Sequence, residues 1–211
     1  MNEWEYKLQA AALDAMGTGD ASHDLSHLRR VRANALAIAS GEADVDHEVL
    51  VAAVWLHDSV NLEKGDPRRA QASRMAASLA RELLSGWGIA EDKINAVAHA
   101  IEAHSFSAGI PPVTIEAKIL RDADRLDALG AIGIARTFSV NGRLNRPIYD
   151  PEDPWAEHRP LDDTRFGIDH FHVKLLKLGD VMMTDTGRRI AHQRTEMMRQ
   201  FLEQLRGEIG A

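Results

Sequence analysis

The chain has 211 residues, 45% of them hydrophobic, with no cysteine and a formal net charge of −7. That length suits one domain, or one with a short appendage, and gives enough material for a real core. The lack of thiols excludes disulfides, thiolate zinc sites and a cysteine nucleophile, so any metal must be held by His and carboxylate, which favours a hard or borderline divalent ion.

The acidic balance argues against a nucleic-acid partner, which would call for a basic face. Small anionic substrates stay open, because one metal and a few Lys or Arg outweigh the global field locally. The longest apolar run falls well short of a membrane span, and Met1-Asn-Glu-Trp-Glu-Tyr6 is acidic, unlike a signal or transit peptide. The expected compartment is the cytoplasm, with no membrane partner and the oligomeric state left open.

Abundant Ala, Leu, Glu and Arg, 5% aromatic residues and few β-branched alternations predict an all-α protein. A first helix spans Glu3 to Met16 and stops near Gly17. A second runs from Asp24 to Ser40, with Val31, Ala35, Leu36 and Ile38 on its inner side. Asp46 reads as the N-cap of a third, which carries the apolar run Val49 to Leu56 up to His57-Asp58.

Asn61 to Gly65 breaks the pattern, and Asp66-Pro67 opens a fourth helix reaching Leu84, before the turn Ser85 to Gly88. A fifth helix covers Glu91 to His104. Pro111-Pro112 forces extended chain, after which Thr114 and Glu116 open a sixth helix reaching Leu129. Gly130 to Gly133 allows close packing or a kink, followed by helix to Val140. Residues 141–167 hold Pro147, Pro151, Pro154 and Pro160 and read as a long loop or lid. Helices over Ile168 to Leu178 and Thr184 to Arg206 close the chain.

His57-Asp58 is the most informative dipeptide. It closes the run Val49-Leu-Val-Ala-Ala-Val-Trp-Leu56, where ionisable groups are costly unless paired or metal-bound. A second such dipeptide, His23-Asp24, lies in a polar helix start and reads as an N-cap. Two adjacent helical side chains diverge by about 100°, so a metal also needs donors from other elements. His27 on the preceding helix offers one.

A carboxylate from Asp122 or Asp124 offers another, but these two point about 200° apart and periodicity does not choose between them. On the fifth helix, His99-Ala-Ile-Glu102-Ala-His104 has the wrong spacing for a zinc-protease motif. His99 and Glu102 share a face, whereas His104 points about 140° away from His99, which favours one metal over two. After the doublet, Lys64, Arg68 and Arg69 form a basic loop leading into a helix N-terminus, an arrangement suited to phosphate.

Taken in order, His27, His57-Asp58 and Asp124 in Ala123-Asp-Arg-Leu126 resemble the signature of the HD-domain metal-dependent phosphohydrolases. The stretches His104-Ser105 and Ala123 to Gly133 are similar to a bacterial single-domain branch, and the likeness extends over about Gly19 to His192. The resemblance implies an HD-domain helical bundle with a metal at its centre. Residues 1–211 would form one domain, with a metal-site core over about 19–140, a Pro-rich loop over 141–167 and closing helices over 168–206.

The resemblance also implies the ligand set His27, in the pattern His27-x-x-Arg30-Val31, with His57, Asp58 and Asp124, and it selects Asp124 over Asp122. One divalent ion is expected from among Mn, Mg, Fe, Co, Ni or Zn, with Mn favoured, while the fifth-helix histidines leave room for a second. The implied activity is hydrolysis of a phosphorylated small molecule, a nucleotide or (deoxy)nucleoside triphosphate, by attack of metal-bound water, as a pyrophosphohydrolase or phosphatase.

In that reading Lys64, Arg69 and His104 meet substrate phosphates, and a similar Asn-Leu-x-Lys stretch in relatives of the branch singles out Lys64. Asp58, His99, Glu102 and His104 serve catalysis, with His99 or Glu102 handling or orienting a proton. The sequence lacks the Gly-Tyr-Pro extension of cyclic-di-GMP hydrolases. The alternative is a non-catalytic metal-sensing or interaction module on the same bundle.

Overall fold

A computed structural model describes residues 2–16, 25–60, 62, 66 and 68–210. The described residues form nine α-helices and no strand: α1 (Glu3–Met16), α2 (Leu25–Ala39), α3 (His47–Leu56), α4 (Ala72–Gly86), α5 (Glu91–His104), α6 (Ile115–Leu126), α7 (Gly130–Arg143), α8 (Asp169–Val173) and α9 (Asp185–Ile209). No helix among them is long and apolar enough to cross a membrane. The chain divides into two compact units, Met1–Asp124 and Arg125–Ala211.

The first unit is built around α3. Every residue from Val49 to Leu56 is buried, and α1, α2 and α5 pack around this helix, because a helix apolar on all sides needs neighbours on all sides. Leu28, Val31 and Ile38 of α2 and Ala98 and Ile101 of α5 are fully enclosed, and α4 lays the small residues Ala76, Ala77 and Ala80 into the core. Asp46 caps α3 as its sequence predicts, accepting from the N–H groups of Glu48 at 3.0 Å and Val49 at 3.1 Å. Its own N–H donates to Glu116 Oε1 at 2.8 Å, which ties the start of α3 to the first turn of α6.

Two boundaries in this unit depart from expectation. Asp66 does accept from the Arg68 N–H at 2.8 Å, but tight three-residue bonds from Arg69 N to Asp66 O and from Gln71 N to Arg68 O wind a 3-10 turn over Arg69–Gln71. α4 proper therefore starts at Ala72. It runs past Leu84 to Gly86 and ends where Ile89 N donates to Leu84 O and Gly88 N to Ser85 O around a left-handed Gly88. Asp24, the expected cap of α2, lies outside the described residues, as do His23, Asn61, Lys64, Gly65 and Pro67.

In the second unit α7 packs against α9, with the rings of Phe138, Phe171 and Phe201 meeting at 5.9–6.0 Å. The sixth helix stops at Leu126 rather than Leu129, because Ala128 and Leu129 bond back three residues and Gly130 adopts φ +69°. α7 then begins at Gly130 itself and continues beyond Val140 to Arg143.

The expected helix over 168–178 is instead the short α8 followed by a 3-10 turn, Leu175–Val181, broken by the non-helical Lys174. α9 extends past Arg206 to Ile209. The Pro-rich loop runs over 144–168, bonded internally where Asp153 accepts from the Glu157 and His158 N–H groups and tied to the start of α8 by the Arg159 guanidinium, which reaches Asp169 at 2.6 and 3.0 Å.

Candidate metal centre

Two helices of the first unit end in the same way. The last carbonyls of a helix have no partner one turn on, so an end-of-helix side chain can turn back and donate to one. His57, directly after α3, places Nδ1 2.8 Å from Val54 O, and His104, the last residue of α5, places Nδ1 2.6 Å from Ile101 O. A carbonyl only accepts, so Nδ1 carries the proton in both rings, which leaves Nε2 as the nitrogen that can serve as a ligand. The two rings meet edge to face at 5.0 Å. His57 Nε2 is buried with no hydrogen-bond partner among the described residues, an arrangement rarely left uncompensated.

The carboxylates complete the cluster. Asp58 Oδ2 lies 3.4 Å from His27 Nε2 and 3.5 Å from His57 Nε2, its Oδ1 lies 3.8 Å from His104 Nε2, and Asp124 Oδ1 lies 3.5 Å from His27 Nε2. Donor atoms of the triads His27/His57/Asp124 and His57/Asp58/His104 fall within 4.8 Å of one another. Ligand atoms around a single ion with bonds of about 2.0–2.3 Å stand about 3–4 Å apart, so this spacing fits one cation. Two carboxylates beside three imidazole nitrogens are also the donor set that a divalent ion takes. Burial, and next the neighbouring His57, push His104 below the usual imidazole range against the opposing pull of Asp58 and Asp124.

The structure thus brings together His27, His57, Asp58 and Asp124, and adds His104 to them. Asp122 is fully buried outside both triads, whereas Asp124 is partly exposed at the cluster. His99 and Glu102 stand outside the triads as well, and His99 Nε2 accepts the Val113 N–H at 3.1 Å, which pins the loop after α5. Arg69 is exposed on the 3-10 turn before α4. Its neighbour Arg68 is committed to Asp66 through Nε and Nη2 at 3.2 and 2.9 Å.

One supporting residue has no counterpart in the sequence reading. Asn34, buried on α2, donates from Nδ2 to Ala123 O at 3.0 Å and so fixes the backbone immediately before Asp124. Its position seven residues after His27, two turns along the same face, is the one signal that the sequence carries.

The HD domain family model matches residues 24–129, a span holding all five cluster residues. The chain is similar to YpgQ of Bacillus subtilis strain 168, at 33% identity over 192 residues that cover 89% of this chain and 84% of YpgQ. The crystal structure of YpgQ in complex with ADP matches with a TM-score of 0.76 at 30% identity, covering 99% of this chain and 98% of that one. An HD-superfamily hydrolase from Bacillus thuringiensis matches with a TM-score of 0.78 at 33% identity, over 99% and 98% of the two chains.

Proposed function

Because the chain belongs to the HD-domain family and has the fold of HD-superfamily hydrolases, we propose that it is a divalent-metal-dependent phosphohydrolase acting on a nucleotide or (deoxy)nucleoside triphosphate. The observation that carries this reading is the convergence of the Nε2 atoms of His27, His57 and His104 on the carboxylates of Asp58 and Asp124. YpgQ, similar over nearly the whole chain, binds ADP in its crystal structure, and this supports a nucleotide-like ligand here.

In the proposed mechanism His27, His57, Asp58 and Asp124 hold one divalent ion, Mn favoured, with His104 beside it as a further ligand or a contact to phosphate. Such an ion supplies Lewis-acid polarisation of a phosphoryl oxygen and acidifies a coordinated water. The Val54 and Ile101 carbonyls keep the His57 and His104 rings in the tautomer that presents Nε2 to the cluster. Arg69, with Lys64, takes phosphate oxygens distal to the reacting bond. His99 already spends its Nε2 lone pair on the Val113 N–H, so Glu102 is the proton acceptor we assign on α5.

The same proposal takes residues 1–211 as one functional HD domain working in the cytoplasm. A screen of phosphate esters and nucleoside triphosphates with added Mn, identifying both products, tests it. Pyrophosphate release marks a pyrophosphohydrolase and orthophosphate release a phosphatase. Turnover of no phosphate compound by metal-loaded protein favours the non-catalytic module instead.

A further inference from the structure

Phe106 is the only phenylalanine in the first unit, and it is 81% exposed, more than any other large hydrophobic among the described residues. The four remaining phenylalanines lie in the second unit, three of them in the ring cluster between α7, α8 and α9. Single exposed apolar side chains are ordinary on protein surfaces; placement and support distinguish this one.

Phe106 follows His104 of the metal cluster by two residues, so its Cα lies within about 7.6 Å of that of His104 along the chain. It sits on a braced turn. Ser105 Oγ and Ser107 Oγ bond at 2.9 Å, and the Gly109 N–H closes on Phe106 O at 3.3 Å with Gly109 at φ +67°. The far end of the loop is pinned by the bond from Val113 N–H to His99.

This 3-10 turn, Phe106–Ala108, touches the 3-10 turn Arg69–Gln71. Arg69 is exposed there and makes no ion pair among the described residues. An exposed apolar ring and an exposed guanidinium therefore sit on adjoining turns, one of which directly follows a histidine of the cluster. That combination matches a ligand with an aromatic face at one end and phosphates at the other.

We propose that Phe106 is a stacking platform for the base of a nucleotide, making the adjoining surface a nucleobase subsite and selecting nucleotides over phosphoesters without an aromatic group. The proposal rests on the phosphohydrolase reading above and deepens it. Stacking is tolerant of base identity, since every base has a π face. The platform therefore admits purine and pyrimidine nucleotides alike and rejects sugar phosphates.

The test uses full-length, Mn-loaded protein and two uncleavable probes, α,β-methylene-ADP and methylenediphosphonate, which share the bridged diphosphate and differ in the nucleoside. Calorimetric titration of wild type, Phe106→Ala and Phe106→Trp gives the affinities, with Mn content measured for each. The expected result is a loss of roughly 5-fold to 100-fold for α,β-methylene-ADP in Phe106→Ala, recovery in Phe106→Trp, and no change for methylenediphosphonate in either variant. Equal α,β-methylene-ADP affinity in wild type and Phe106→Ala, with both probes bound, overturns the platform and leaves the phosphohydrolase reading standing. Failure of wild type to bind either probe overturns both.

Discussion

Replacing Asn34 by Ala separates support of the metal ligands from support of the fold. The substitution removes the hydrogen bond from Asn34 Nδ2 to Ala123 O at 3.0 Å, a neutral bond with a net worth of about 0.5–1.5 kcal/mol. In a chain of this size each kcal/mol corresponds to roughly 2–4 °C in Tm, so the expected drop is about 1–6 °C. The effect on metal is larger in relative terms. Ala123 directly precedes Asp124, and loss of the groups that orient ligands typically lowers metal affinity 10-fold to 100-fold; a fall of about 10-fold is expected here, since Asn34 acts through backbone.

Mn affinity by competition with a fluorescent chelator, measured beside thermal melts, reads both quantities. Asp46→Ala serves as a stability-matched control, because loss of an N-cap costs about 1 kcal/mol and Asp46 lies at the opposite end of α3 from His57. Unchanged Mn affinity in Asn34→Ala, or an equal fall in Asp46→Ala, refutes the positioning role.

Asp58→Ala should retain the fold and lose stoichiometric Mn, because Asp58 faces the Nε2 atoms of three histidines; elemental analysis after matched reloading checks this, and equal metal content refutes the ligand set. Arg69→Ala should lower kcat/KM for a triphosphate about 2-fold to 5-fold, the modest effect of an exposed charge, and change monophosphate turnover less; equal kinetics on both substrates would return Arg69 to the solvated surface. Burial opposes the Asp46 carboxylate, yet the bonds from Val49, Lys93 and Glu48 outweigh it and hold its pKa below the usual 3.8. Its stabilisation is therefore present above that value and lost as pH falls through the lowered one, so the gap in denaturation midpoint between wild type and Asp46→Ala should narrow below about pH 4. Gly167→Ala should destabilise by about 1–3 kcal/mol in urea denaturation, because an added Cβ would stand 1.8 Å from Nδ2 of buried Asn141.

The helices and the cluster were legible to different degrees. The run Val49 to Leu56 announces a helix buried on every face, and its eight buried residues match that pattern. α1 (Glu3–Met16) and α5 (Glu91–His104) cover the spans expected from their sequences. Boundaries set by backbone closure were not legible. The 3-10 turn at Arg69–Gln71, the stop of α6 at Leu126 and the break at Lys174 depend on three-residue bonds and single dihedral angles that hydrophobic periodicity does not encode.

Within the site, sequence patterning could not choose between Asp122 and Asp124. Both lie on α6 among apolar neighbours, and in space it is Asp124 that approaches His27. His104 was readable as a group near the reaction but not as a neighbour of Asp58, since the ring orientation comes from its bond to Ile101 O. Asn34 resembles any polar residue in a helix until the carbonyl it meets is known. Lys64 lies outside the described residues and stays an expectation from sequence.

The most direct test of the central claim is the initial rate of nucleoside triphosphate hydrolysis as a function of Mn added to chelator-stripped protein, with bound metal measured in the same samples. The expected result is no turnover in stripped protein, a rise that follows occupancy of one high-affinity site, and no rise in Asp58→Ala. Full turnover by stripped protein with metal loss verified, or no turnover by protein holding one Mn, would contradict it.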